Sequence, residues 1–445
     1  MKKPSLIFIV FSIVLNLFAL DVSAYDVGWI QYGNVPTHAF NTKNKGPSSG
    51  VSSLTCLPPS VGTGSPCAPL GSGVGALIDS DGDVYVTSYG TAETGGVTEL
   101  GVYSPAGSLL GTFDFASVGV KYGPRSVPYI DEANNLIYTG AEGTGSSKKP
   151  GFHVIEIDKS NPSAYVLTLK GSDMSVGTIE TSPLMVNGTV YVAGQSGNIY
   201  GFQYNGTQLT QITNSPLALN ETITGSIAMY YDEVAKKSKL VVATQSGNLY
   251  VINTDLTMAA SNTANQGIDE YYSGVTIAMR PKGRFGTSPV ALLGVSGTGS
   301  NAGSVRAIDL KTMKDAWSLP LSPGKEIVTN VALLFPYKRK YRAVAASTDG
   351  NLYGIDLAGG AKKWTYSMGA GGYTAPVVDR GNQVYVVDGA SKIHSVKGLD
   401  GTIPNSGWPN SQIMFGGTTD DGSMAIGPDK TLVVGVGEGA YICTP

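Results

Sequence analysis

The chain has 445 residues and a formal net charge of −3, and charged residues make up only 14% of it, with no long run of either sign. Phosphate binding rests on clustered Lys and Arg, so this balance argues against a nucleic-acid partner. A glycine count of 59 suits many short strands joined by tight turns, and it excludes an architecture of long amphipathic helices.

In chain order, Lys2 and Lys3 precede an apolar run from Leu6 to Leu20, and Val22-Ser23-Ala24 supplies a small-residue cleavage pattern, so residues 1–24 read as a signal peptide. About 421 residues then form the mature, exported chain, and no later segment approaches the roughly 18 uninterrupted apolar residues of a membrane helix. The stretch "GWIQYG", Gly28 to Gly33, has strand composition. Cys56 and Cys67 bracket a Pro/Gly/Ser-rich loop, and in an oxidising compartment a bridge between them stabilises by roughly 3 kcal/mol for a loop of this size. Cys443 is then the unpaired thiol, while a link from either of the other two to Cys443 stays open because the chain ends meet.

"DSDGD", Asp79 to Asp83, places three carboxylates at alternating positions like the start of a calcium loop. It lacks the bidentate Glu that completes such a loop, and Asp-Gly also makes a hairpin turn, so the turn reading leads and calcium is the lesser expectation. His38, His153 and His394 lie far apart, and any metal or acid–base role would need the fold to bring them together. "GAEGTGSS" and "GVSGTGSNAG" open no helix and read as loops, not phosphate cradles. "PYKRKYR", Pro336 to Arg342, reads as a solvated hairpin turn.

Internal repetition gives the organisation. "TSPLMVNGTVYVAGQSGNIYGF", Thr181 to Phe202, reads as strand, Asn187-Gly188 turn, strand, Gly197-Asn198 turn, strand, with Val190, Val192 and Ile199 on one face. "KLVVATQSGNLYVIN" from Lys239 and "YRAVAASTDGNLYGIDL" from Tyr341 repeat its second half, and degenerate copies start at Gly75, Ser126, Ser288, Thr374 and Gly422. That makes eight units. Their spacing fits four short strands each, and such sheets bury both faces only by stacking in a ring. The expected fold is all-β: a single eight-bladed β-propeller of four-stranded antiparallel blades over 25–445. Residues 25–71 supply a closing strand and a Cys-containing loop, and 72–445 supply the repeats. The last unit is too short for four strands, so Gly28 to Gly33 is the expected closing strand.

Two further stretches lie 47 residues apart, "AIDLKTMKDAW" from Ala307 to Trp317 and "GIDLAGGAKKW" from Gly354 to Trp364, each with a Trp eight residues after an Asp. With these, the chain resembles the quinoprotein-like β-propellers, the superfamily of the pyrroloquinoline quinone (PQQ) dehydrogenases and their non-enzymatic relatives. Their repeat carries A-x-D-x-x-T-G-K-x-x-W. Ala307, Asp309, Thr312, Lys314 and Trp317 match it with Met313 in place of the Gly, and the second copy is read as keeping Asp356 and Trp364 with a Gly one position early. The resemblance implies an outer-strand Trp packed between blades and an Asp before the turn, so these four residues are blade-docking elements rather than chemistry. Trp suits that role because it buries a large apolar area while its N–H takes an acceptor.

The PQQ alcohol dehydrogenases of that superfamily carry adjacent cysteines, a calcium site of Glu, Asn and Asp, and a catalytic Asp. None of the three cysteines here is adjacent to another, and there is no C-x-x-C-H haem motif. The expectation is therefore a non-catalytic exported scaffold, periplasmic or secreted, with a protein or envelope-polymer partner. It resembles the propeller subunit of the outer-membrane-protein assembly machinery or a propeller of a surface appendage. The alternative is a PQQ/calcium-dependent oxidoreductase or small-ligand binder that uses the central channel.

Overall fold

The structure, a computed structural model, describes residues 31–445 except 32, 36, 40, 58–74, 89–97, 121, 125, 143–149, 224, 264–269, 272–273, 283–285, 297–301, 324, 328, 337–340, 373, 406–407, 409–422 and 437–438. The expected signal peptide, Cys67 and the middle of Pro336 to Arg342 lie outside the described residues.

Eight four-stranded antiparallel blades form a ring: blade 1 (76–114), blade 2 (129–173), blade 3 (184–211), blade 4 (228–262), blade 5 (270–323), blade 6 (332–367), blade 7 (377–397, three strands among the described residues) and blade 8 (423–444 with Ser53–Cys56). Local sequence explains the hairpins. Asn187 and Gly188, with φ of 51° and 78°, supply the left-handed pair that a two-residue turn needs between Leu184–Val186 and Thr189–Ala193. The second strands Thr189–Ala193 and Gln383–Val387 are buried at every position, because both faces of each sheet are covered by neighbouring blades.

Those covers are the core. Val190 and Val192 pack with Phe152 and Phe202 between blades 2 and 3, whereas Tyr191, Ala193 and Ile199 pack with Leu240 and Val242 between blades 3 and 4. Ile199 therefore faces away from Val190 and Val192, contrary to the one-face expectation, since crossing a hairpin does not preserve the alternation phase. Around the inner rim, backbone N–H groups are capped across blade joints: Val127 donates to Ser182 Oγ, Ser182 to Ser226 Oγ and Gly274 to Asn330 Oδ1.

Ring closure uses an N-terminal strand, but not the expected one. Ser53–Cys56 pairs antiparallel with Gly439–Thr444, Leu54 opposite Cys443, as the outermost strand of blade 8. Gln31 and Gly33 lie in a bend and a turn instead. Gly28 to Ile30 and Tyr32 lie outside the described residues; closure in blade 8 requires a strand at the ring's periphery, whereas the contacts from Thr37 to Asn44 go to the axial edges of other blades.

Candidate functional site

The tryptophan repeats come first, because they decide what the sequence pattern is for. Trp317, on the outer strand Lys314–Pro323 of blade 5, is buried, and its Nε1–H donates to the Leu357 carbonyl of blade 6 at 3.0 Å. Trp364, on Lys362–Ser367 of blade 6, donates likewise to the Gly398 carbonyl of blade 7 at 2.9 Å. Each indole lies over a left-handed turn glycine of the next blade. A Cβ on Gly360 (φ +71°) would stand 2.6 Å from Trp317 Cδ2, and one on Gly401 (φ +74°) 2.7 Å from Trp364 Cε3.

Asp309 builds the turn itself. Its Oδ1 accepts from Lys311 N and Thr312 N, and its Oδ2 accepts from the Ser288 hydroxyl. Asp356 caps Ala358 N and sits 3.4 Å from Lys363 Nζ. Gly360 N bonds to Asp356 O as Met313 N bonds to Asp309 O, so the second copy's turn glycine is Gly360, in register, and Met313 holds its place at φ +52°.

The sequence reading missed a third tryptophan. Trp408 is buried against Tyr385, with ring centroids 5.8 Å apart, and donates to the Pro47 carbonyl at 3.2 Å. It lies eight residues after Asp400, a spacing that was available as a signal. In the turn, however, Lys397 bonds Thr402 as Asp356 bonds Ala361, so Lys397 and not Asp400 holds the Asp position.

The three carboxylates of "DSDGD" do converge. Asp79, Asp81 and Asp83 offer ligand oxygens within 4.8 Å of one another. Lys159 of blade 2 reaches into them, its Nζ 2.5 Å from Asp79, 3.5 Å from Asp81 and 3.1 Å from Asp83. The Tyr85 and Tyr165 hydroxyls donate to Asp79 and Asp83. Burial raises the Asp79 pKa against the opposing pull of Lys159. At Lys159 burial acts downward, but the bonds and charges of Asp79 and Asp83 outweigh it and the pKa rises. The ammonium thus occupies the position a loop-bound cation would take and joins blade 1 to blade 2. Nothing in the local sequence flagged Lys159, because its partners lie about 80 residues earlier.

The three histidines sit in three separate places. His153 on blade 2 is fully buried with neither ring nitrogen hydrogen-bonded, and burial pulls its pKa down to about 4. His394 on blade 7 lies between Asp388 Oδ2 at 3.0 Å and the Tyr366 hydroxyl of blade 6 at 3.1 Å. Another polar cluster, around Glu221, is closed on itself: Thr244, Asn248 and Tyr250 all donate to that carboxylate. Burial would raise the Glu221 pKa, yet these donors hold it below the usual range.

His38 belongs to the least expected feature. Each blade's first strand has one edge paired within the sheet and one facing the axis. Residues 37–39 and 41–46 run along those axial edges: Ile277 N of blade 5 donates to Thr37 O, Leu333 N of blade 6 to Ala39 O, Thr42 N to Val378 O of blade 7, and Arg380 N of blade 7 to Asn44 O. Side chains add His38 Nδ1 to Val275 O at 3.1 Å, Asn41 Nδ2 to Leu333 O at 3.0 Å and Asn44 Nδ2 to Ile426 O of blade 8 at 3.3 Å. Gly46 N then meets Asp379 Oδ2 at 3.1 Å. A Cβ on Gly46 would stand 2.5 Å from the Tyr385 ring, so only glycine passes there. His38 is buried, which lowers its pKa to about 4 despite the Val275 bond.

Of the cysteines, Cys443 is free and buried, so the bridge to it left open above is not formed. Cys56 ends the closing strand, and its expected partner Cys67 is outside the described residues. Among the described residues no helix is long and apolar enough to cross a membrane.

Fold and repeat together define a closed β-propeller with docking tryptophans between blades. A family profile described as outer membrane protein assembly factor BamB matches residues 301–441, which hold the Trp317 and Trp364 units. The profile match is confined to that part of the chain, where the repeat is similar to the PQQ-like one. Among solved structures it is similar to BamB from Moraxella catarrhalis, at 12% identity over 88% of this chain and 98% of that one, with a TM-score of 0.58. A europium-containing methanol dehydrogenase is similar at 11% identity over 94% and 97% of the two chains, TM-score 0.60. Sqt1 from Saccharomyces cerevisiae is similar at 11% over 85% and 96%, TM-score 0.61. No curated protein matches the chain.

Proposed function

We propose that the chain is an exported, non-catalytic β-propeller that serves as a protein-interaction or assembly scaffold in the bacterial envelope or at the cell surface. The observation that carries this reading is the use of the axial wall of blades 5 to 8 by the chain's own residues 37–46, in the region where a channel ligand would otherwise seat. Of the other dense polar clusters, those at Lys159 and His394 are engaged across blade joints, and the Glu221 carboxylate accepts from Thr244, Asn248 and Tyr250 beside it. The matching profile is described as an assembly factor, which supports the same direction. The proposal includes cleavage after Ala24 and a Cys56–Cys67 bridge that fixes the loop following the closing strand. Affinity capture with the tagged mature chain from its native envelope tests it. A stoichiometric partner displaced by excess untagged protein is the expected result, and capture of none would count against the scaffold.

A further inference from the structure

The segment 37–46 is bound as a peptide ligand is bound, by main-chain pairing plus selected side chains. Its main-chain contacts step from blade 5 to 6 to 7 at Thr37, Ala39 and Thr42. The path between these contacts is bent rather than straight, with Thr37 in a turn, His38 at φ +52° and Lys43 and Asn44 in a bend. Three side-chain donors, His38, Asn41 and Asn44, read carbonyls on blades 5, 6 and 8, and Gly46 clears the Tyr385 ring. His38 and Thr42 are buried, while Lys43, Lys45, Ser48 and Ser49 are exposed, so the segment is held by its inward side chains and reaches the closing strand through solvated residues.

We propose that the axial wall of blades 5 to 8 is a peptide-binding site, filled in cis by residues 37–39 and 41–46, that takes a peptide of the same chemistry and the same bent path in trans. The ligand class is a segment that turns at the position of His38, with side-chain donors at the positions of His38, Asn41 and Asn44 and a glycine at the position of Gly46. This goes beyond the scaffold reading and does not rest on it, since the site is defined by its present occupant.

The test uses the full mature chain with a specific protease site inserted between exposed Ser48 and Ser49, cut after folding so that Ser53–Cys56 still closes the ring. Labelled peptide of sequence 31–46 is then offered in excess below the melting temperature. Exchange of the labelled peptide for the cut fragment is expected. A peptide carrying His38→Ala, Asn41→Ala and Asn44→Ala should bind at least about ten-fold more weakly, from the loss of three hydrogen bonds. Failure of the labelled peptide to enter, or equal binding of both peptides, would overturn the proposal. Should the cut protein lose its fold, the uncut Gly46→Ala chain carries the same comparison: a loosened segment should admit labelled peptide, and exclusion would overturn the site.

Discussion

A double-mutant cycle on Trp317 and Gly360 tests the docking of blade 5 on blade 6. Trp317 is buried and donates to Leu357 O, so Trp317→Ala should cost about 3 to 5 kcal/mol from lost transfer energy and the cavity left behind. Gly360→Ala alone drives a methyl to within 2.6 Å of the indole and holds alanine at φ +71°. The clash costs about 1 to 3 kcal/mol and the left-handed backbone about 1 more. Once Trp317 is Ala the methyl has room, and only the backbone cost remains. The double variant should therefore be more stable than the sum of the singles predicts, by about 1 to 3 kcal/mol. Urea melts of the four proteins measure this coupling directly. Additive costs would refute the contact, and a Trp317→Ala protein that keeps its full melting temperature but loses partner binding would move the residue to a functional site.

Asp309→Asn should cost less than Trp317→Ala in the same melts, because its Oδ1 can still accept from Lys311 N and Thr312 N. Lys159→Met leaves buried Asp79 and Asp83 without their cation and should destabilise by about 3 kcal/mol at neutral pH, with the loss shrinking in acid as Asp79, whose pKa burial raises, protonates. His153 is neutral in the fold, with a pKa near 4 against 6.5 unfolded, so the stability it permits is complete above pH 6.5 and is lost as pH falls towards 4. That loss reaches about 3 kcal/mol. A thermal-melt series across that window should become shallower in His153→Leu, with the remaining slope owed to His38, and an unchanged slope would rule out His153 as a source. Deleting residues 25–56 should expose Gly439–Thr444 as an unpaired edge and cause aggregation visible by light scattering, whereas monodisperse behaviour would show that blade 8 does not need Ser53–Cys56.

The blades were legible because each unit carries its own turn chemistry, as at Asn187-Gly188, and its own apolar strand. The placement of the tryptophans between blades was implied by the family resemblance of their repeat, and the Nε1–H bonds to Leu357 O and Gly398 O lie across blade joints. The pairings between distant segments were not. Lys159 meets Asp79 across a blade joint, and Ser53–Cys56 was passed over for Gly28 to Gly33 because strand composition alone does not say which N-terminal stretch reaches the periphery. Residues 37–46 carry no periodic apolar pattern, since they bind through backbone and amide groups spread over four blades. Ile199 was placed on the wrong face for a related reason: both faces of these sheets are apolar, so hydrophobicity does not report orientation.

The central claim, that the propeller acts through its surface and not through a channel cofactor, is tested most directly by titrating the purified full chain with PQQ and calcium. Quinone absorption, melting temperature and dye-linked alcohol oxidation would be followed together. The account predicts no stoichiometric quinone band, no shift in melting temperature and no oxidation. A one-to-one quinone band accompanied by alcohol oxidation would contradict it.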